Sequence, residues 1–571
     1  MNTPSRPATA DAPAARAPAV SRTAARALVD CLLAQQVSLA FAVAGESYLA
    51  VLDALYDVRE RLRLVTCRHE ASAANMAEAV GKLTGRPGVC FVTRGPGATH
   101  ASIAVHTAQQ DATPLVLFVG QVARQDLGRD AFQEIDFGAM FGSIAKWVVE
   151  VHDPERMPEL VTRAFAIALN GRPGPVVVSL PEDVLEERCT TPAGPRVERI
   201  ATPLEVGAAD EIARRLANAT RPLVWVGGSG WTAAGSDALR RFAERWQLPV
   251  ASGFRRKDLL ANDHPSYVGE FGFAAGSGAM RALSDADLVL ALGTNLCDVE
   301  TGGYTRLDPR QSVERVIHVA MRPEDAGRVF PVAFRASASP DAAAIAFAAL
   351  TPPAAIGWAA WTRAARAAYE HDLAPVAVTG PVNPGEVFRE LRRQLPDDAI
   401  VANGAGNYAA WLHRFFEHRR FRTQLAPQSG AMGYGVPAGI AAALLYPERR
   451  VVAVAGDGCF MMSANEIVTA AATGARVVFL VFNNASYGTI RMHQESRYPG
   501  RVHGTHLVNP DFVALSRACG IEATRVATTA EFGPALTAAL AAPGPRLIEL
   551  VTSVEDIAPG KRLSALAARA G

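Results

Sequence analysis

The chain has 571 residues, and at about 100–200 residues per domain that predicts roughly three to five domains. Apolar residues make up 49% and charged residues 20%, an ordinary globular balance with enough apolar material for large cores. With 57 basic and 56 acidic residues the formal net charge is +1, so no global charge excess points to nucleic acid or an anionic membrane surface.

The first 22 residues, rich in Ala, Pro and Arg, lack the apolar core of a secretory signal and read as a disordered tail. No apolar run reaches the roughly 18 residues of a membrane span. The seven cysteines (Cys31, Cys67, Cys90, Cys189, Cys297, Cys459 and Cys519) form no CxxC pair. They read as buried or incidental thiols of a reducing compartment, and the expected location is the cytoplasm.

Beyond the tail, short β-branched runs alternate with Ala-rich helical stretches, which predicts α/β domains with mainly parallel sheets. Pro- and Gly-rich breaks near 188–205 and 350–380 read as linkers. Three doubly wound domains follow, at 23–188, 200–350 and 376–556. In the first, the strand RLVTC leads through Arg68-His69-Glu70 into the helix ASAANMAEAVGKL. By itself, an acid in a first helical turn is accounted for by the helix dipole. In the second, LVWVGGSGWTAAG places glycines after a strand, read as tight strand-to-helix packing rather than a ligand site. The third repeats the coarse strand–turn–helix pattern of the first without obvious identity.

The third domain carries the sharpest chemistry. Gly456-Asp457-Gly458 follows the apolar run VVAVA, and VVFLVF leads into Asn483-Asn484, whose second member lies 27 residues after Asp457. Adjacent parallel strands bring both polar ends to one carboxyl edge, where open α/β sheets bind ligands. A carboxylate and an amide oxygen are hard ligands for Mg²⁺, with diphosphate oxygens and water completing an octahedron. The glycines allow close backbone approach, and the following helix N-terminus favours negative charge.

GDG followed by NN at this spacing resembles the signature of the thiamine-diphosphate-dependent enzymes. The resemblance implies that Asp457, the Asn484 side chain and a backbone carbonyl near Ser486 hold Mg²⁺. Gln428-Ser429-Gly430-Ala431-Met432-Gly433-Tyr434-Gly435-Val436-Pro437 is similar to the family segment in which a bulky apolar residue bends the cofactor and a carbonyl accepts its aminopyrimidine. Those roles carry to Met432 and Gly430. Gly406, Asn407, Gly456 and Gly458 are assigned to the cofactor on the same resemblance. Glu70 then takes the place of the family's glutamate, which hydrogen-bonds the pyrimidine nitrogen and stabilises the imino tautomer.

Gly95-Pro96-Gly97-Ala98-Thr99-His100, Gly120-Gln121-Val122, Asp130-Ala131-Phe132-Gln133-Glu134 and Lys146-Trp147 resemble the acetolactate synthase branch. That likeness places Phe132 and Gln133 in the reaction chamber. The His-His pair of pyruvate decarboxylase is missing, and Ile490 stands where that enzyme carries a Glu. Two departures matter. Ala44-Gly45-Glu46-Ser47 puts a carboxylate, Glu46, where the branch has a glycine. Gly293-Thr294-Asn295-Leu296-Cys297-Asp298-Val299 lacks both arginines of the flavin segment, so no stoichiometric FAD is expected.

The resemblance implies decarboxylation of pyruvate or a similar 2-oxo acid, with ligation to an acceptor carbonyl. A decarboxylase that releases an aldehyde, favoured by Glu46, and a non-catalytic cofactor-binding relative are the alternatives. Thiamine diphosphate and Mg²⁺ are the expected cofactors. A homodimer is the expected minimum and a homotetramer the fuller assembly, with neither nucleic acid nor membrane as partner.

Overall fold

The computed structural model describes residues 21–570. Most of the expected tail lies outside these residues. Arg22, assigned to its end, instead pairs with Cys189 in a short antiparallel bridge, its guanidinium held by Asp30 at 2.7 Å.

Three six-stranded sheets, every pairing within them parallel, form the body of the chain. Their strands are buried almost throughout, as in Gly88–Val92 and Leu288–Leu292. That explains the continuous apolar runs, because a parallel sheet is covered by helices on both faces. Numbered along the chain within each sheet, the strands of the first and third run 2-1-3-4-6-5, whereas those of the central sheet run 3-2-1-4-5-6. The first and third domains therefore share a topology that their sequences only hinted at. In each sheet the order reverses beside its first strand, leaving a crevice at the carboxyl edge.

The first and third sheets share one core. Helix Glu70–Thr84 packs on helix Gly435–Leu445, and Ala73, Ala74 and Ala77 on one and Ala438, Ala441 and Ala442 on the other are fully buried. Small side chains let these helices approach closely. Gly85, in the left-handed conformation at φ +71°, ends the first of them.

In the central sheet, a Cβ on Gly228 would stand 2.0 Å from the Gly293 carbonyl oxygen. The glycines after that strand thus serve close packing of neighbouring loops. One linker expectation is corrected. Residues 359–372 form a helix, Ala359–Asp372, whose Ala365 and Tyr369 pack into the central cores. The apolar residues of AAWTRAARAAYEHD recur at helical spacing, a pattern hidden by the flanking prolines. Among the described residues, no helix is long and apolar enough to cross a membrane.

Candidate active site

At the carboxyl edge of the third sheet a cavity of about 250 Å³ opens beside the crevice between the first and third strands of that sheet. Gly406 and Asn407 reach it after strand Ile400–Asn403, and Gly456, Asp457 and Gly458 at the end of Val451–Gly456. Asn484 and Ser486 follow Val477–Asn483, and Gly430 and Met432 come from the loop before helix Gly435–Leu445. The structure therefore brings together every third-domain residue that the motifs singled out.

Local geometry explains the residue types. A Cβ on Gly458 would stand 2.5 Å from the Tyr487 ring, whereas Gly430, at φ +69°, faces open space. Ala485, between Asn484 and Ser486, is held in the left-handed region at φ +52°. This turn separates the two asparagines. Asn484 Oδ1 accepts from the Ser486 N–H at 3.1 Å on the cavity wall. Asn483 turns to structural work, donating to Glu549 at 2.8 Å and accepting from Asn509 at 2.9 Å.

Asp457 is buried. One oxygen accepts from the Gly458 N–H and the other from Asn509 Nδ2, each at 2.8 Å. Burial pushes its carboxyl above the usual range, with these hydrogen bonds opposing. Among the described residues Asp457 has no ion-pair partner. A buried carboxylate of this kind calls for a compensating cation. The chemistry of the donors (one carboxylate, one amide oxygen, one carbonyl) suits a hard divalent ion. Asn509 was missed from the sequence, where it is a lone Asn in a loop without a motif.

None of the first-domain candidates lines this cavity. Glu70 opens its helix, with His69 Nδ1 capping the Ala71 N–H at 3.1 Å. Its Oε2 lies 2.8 Å from His100 Nδ1, and the His69 and His100 rings lie 4.4 Å apart. The Arg68 and His69 N–H groups both donate at 2.9 Å to Glu466, in the turn that follows the Asp457 helix. Burial raises the Glu466 carboxyl above its usual range.

Glu46 begins a short turn after strand Leu39–Ala42 and accepts from Arg94 Nη1 at 3.1 Å. Arg94 also donates to Glu182 at 2.5 Å. Phe132 is 74% exposed. Gln133, at φ +65°, offers its carbonyl to the Gly95 N–H at 3.0 Å. Glu46, Glu70 and Arg94 thus follow three neighbouring strands at the carboxyl edge of the first sheet, while Asp457, Asn484 and Ser486 stand at the corresponding edge of the third.

Fold and cavity together define a three-sheet α/β protein with a glycine-bordered cavity at the carboxyl edge of its third sheet, where Asp457, Asn484 and Ser486 meet. Residues 22–140 match the N-terminal TPP binding domain of thiamine pyrophosphate enzymes, 209–346 their central domain and 404–550 their C-terminal TPP binding domain. The chain belongs to the thiamine pyrophosphate enzyme family. It is 33% identical over 544 residues to the acetolactate synthase large subunit of Parasynechococcus marenigrum, covering 92% of this chain and 87% of that protein. The probable acetolactate synthase large subunit of Methanocaldococcus jannaschii is 30% identical, covering 95% and 94%. The acetolactate synthase large subunit of Corynebacterium glutamicum is 31% identical, covering 90% and 84%.

Proposed function

We propose that this chain decarboxylates pyruvate or a similar 2-oxo acid and ligates the remaining carbon unit to an acceptor carbonyl. The observation that carries the reading is the cavity at the third sheet's edge, where Asp457, Asn484 and Ser486 converge on glycine-lined space. The likeness to acetolactate synthase large subunits along most of the chain supports it. Thiamine diphosphate, when bound, supplies the electron sink that a 2-oxo acid needs to lose CO₂.

The residues present fit that group. Mg²⁺ would be held by Asp457, the Asn484 side-chain oxygen and the Ser486 carbonyl. The backbones at Gly406, Asn407, Gly456 and Gly458 would border the diphosphate. The Gly430 carbonyl and the Met432 side chain would orient the rings, and Glu70 would hold a proton at its carboxylate against the pyrimidine. Glu70 lies outside its own chain's cavity, which supports a homodimer in which a second copy supplies it, or a homotetramer of two such pairs.

Phe132 and Gln133 would face the substrate in that assembly. Arg94 donates to Glu46, so that oxygen acts as an acceptor, which favours ligation over protonation of the product carbon. Asn295 and Val299 replace the flavin-contacting arginines of the branch, and we assign no stoichiometric FAD. All seven cysteines are free thiols, in keeping with a reducing cytoplasm.

Product analysis from labelled pyruvate, with cofactor and Mg²⁺ supplied, tests the reading. A 2-hydroxy-3-oxo acid such as acetolactate is expected to dominate. Dominant acetaldehyde would replace it with the aldehyde-releasing decarboxylase. Cofactor binding without CO₂ release from any 2-oxo acid tried would leave a non-catalytic relative.

A further inference from the structure

We infer that Lys82, Asp111 and Arg255 form a largely buried clamp that positions the loop carrying Gly430 and Met432. The inference rests on the reading of that loop as the seat of the cofactor's rings. Two consecutive peptide groups of the loop, 426–427 and 427–428, are held by three charged side chains from the other two sheets' domains. Lys82 Nζ, near the end of helix Glu70–Thr84, donates to the Ala426 carbonyl at 3.0 Å. Arg255, just after central-sheet strand Val250–Ser252, donates through Nη1 to the Pro427 carbonyl. Asp111 Oδ1, at the end of helix Gly95–Asp111, accepts from the Gln428 N–H at 2.7 Å.

The far end of the loop is tied to the same cluster. Tyr434 donates to Glu78 at 2.5 Å, and Lys82 pairs with Glu78 at 3.3 Å and with Asp111 more closely still. Arg255 reaches further. Its Nη2 donates at 2.9 Å to the Gly404 carbonyl, at the start of the loop that carries Gly406 and Asn407. One guanidinium from the central domain therefore holds two of the loops that line the third-domain cavity. Arg255 is itself fixed, in the left-handed region at φ +61° with its N–H donating to Glu270 at 2.6 Å.

Packing alone would not ask for these side chains. Burying the Lys82, Asp111 and Glu78 ion pairs and the Arg255 guanidinium costs desolvation that apolar residues of similar volume avoid. Three ionic hydrogen bonds to two successive peptides instead fix backbone direction, and Gly430 and Met432 follow within five residues of the last. Lys82, Asp111 and Arg255 are thus positioning residues. They line no part of the cavity and act through the loop.

The test uses the full chain and titrates thiamine diphosphate at saturating Mg²⁺. One variant combines Lys82→Met with Asp111→Asn, removing the opposite charges together. A second carries Arg255→Gln, and a third Lys82→Arg. Thermal stabilisation and 2-oxo acid consumption report half-saturation, and near-UV circular dichroism of the bound cofactor reports its setting. The first two variants should need about 10- to 100-fold more cofactor, the loss expected for an ionic hydrogen bond. Their rate at saturation should fall by a smaller factor, and Lys82→Arg should retain wild-type half-saturation.

A lowered melting temperature without cofactor, together with unchanged half-saturation and spectrum, would reduce the three residues to packing and overturn the clamp. Equal loss in Lys82→Arg would do the same. Should the paired variant fail to fold, Arg255→Gln alone decides, because it disturbs a different domain. A wild-type chain that thiamine diphosphate and Mg²⁺ do not stabilise would refute the cofactor reading itself, before the clamp is reached.

Discussion

Replacing Glu70 by Gln keeps the shape of the side chain and removes its charge. On the proposed assignment, turnover falls by about 10²- to 10⁴-fold, the usual cost of losing an acid–base group. Thermal stabilisation by thiamine diphosphate and Mg²⁺ persists, and loss of both together would mean that Glu70 is structural. Asp457→Ala or Asn484→Ala shows the opposite pattern. Each would delete a proposed oxygen ligand, so cofactor-dependent stabilisation is expected to disappear, and unchanged stabilisation in both would overturn the proposed cation site. That Asp457 and Asn484 meet at one sheet edge was legible because GDG and NN sit at strand ends with fixed spacing. Asn509, which anchors Asp457, was not, because a loop asparagine acquires meaning only through a contact across the fold. Arg94 escaped for the same reason. Its bridge from Glu46 to Glu182 joins residues far apart in the chain.

At the scale of elements, alternating apolar runs and Ala-rich stretches disclosed parallel α/β sheets because buried strands and small-residue helices leave plain patterns. Strand order left no such trace, and the helix Ala359–Asp372 hid among prolines. The central sheet's edge also carries a buried acid that periodicity could not reveal. Glu300 accepts from the Phe254 N–H at 3.0 Å and from the Thr294 hydroxyl, and among the described residues it has no cationic partner. Burial pushes its carboxyl up from 4.5 to about 7. Between those values the folded chain binds more protons than the unfolded chain, so this group's contribution to stability declines as pH rises through the window and levels off above 7. Glu300→Gln is expected to leave stability unchanged below pH 4.5 and to raise it at pH 8 by on the order of 1–3 kcal/mol. Thermal unfolding of both proteins across this range is the measurement. Parallel curves would show that the acid is already compensated.

At the scale of the whole molecule, the separation of Glu70 from the cavity makes a prediction about mixed assemblies. A Glu70→Gln chain and an Asp457→Ala chain are each inactive alone. Co-expressed in equal amounts they should regain about a quarter of wild-type activity, because half of the randomly paired dimers carry one intact site. No recovery, with mixed dimers demonstrated, would mean that each chain completes its own site. The matching strand order of the first and third sheets has a consequence for descent. On the proposed assignment, two sheets of one strand order carry separate duties, the first sheet's edge offering Glu70 and the substrate-facing groups and the third sheet's edge those that retain the diphosphate and its cation. If those roles hold, substitutions around Glu46, Arg94 and Phe132 would alter which acceptor is used while Asp457 and Asn484 stay under undisturbed selection. On that division, new reaction outcomes would require rewriting the loops of one sheet only, without an intermediate ancestor that has lost its cofactor.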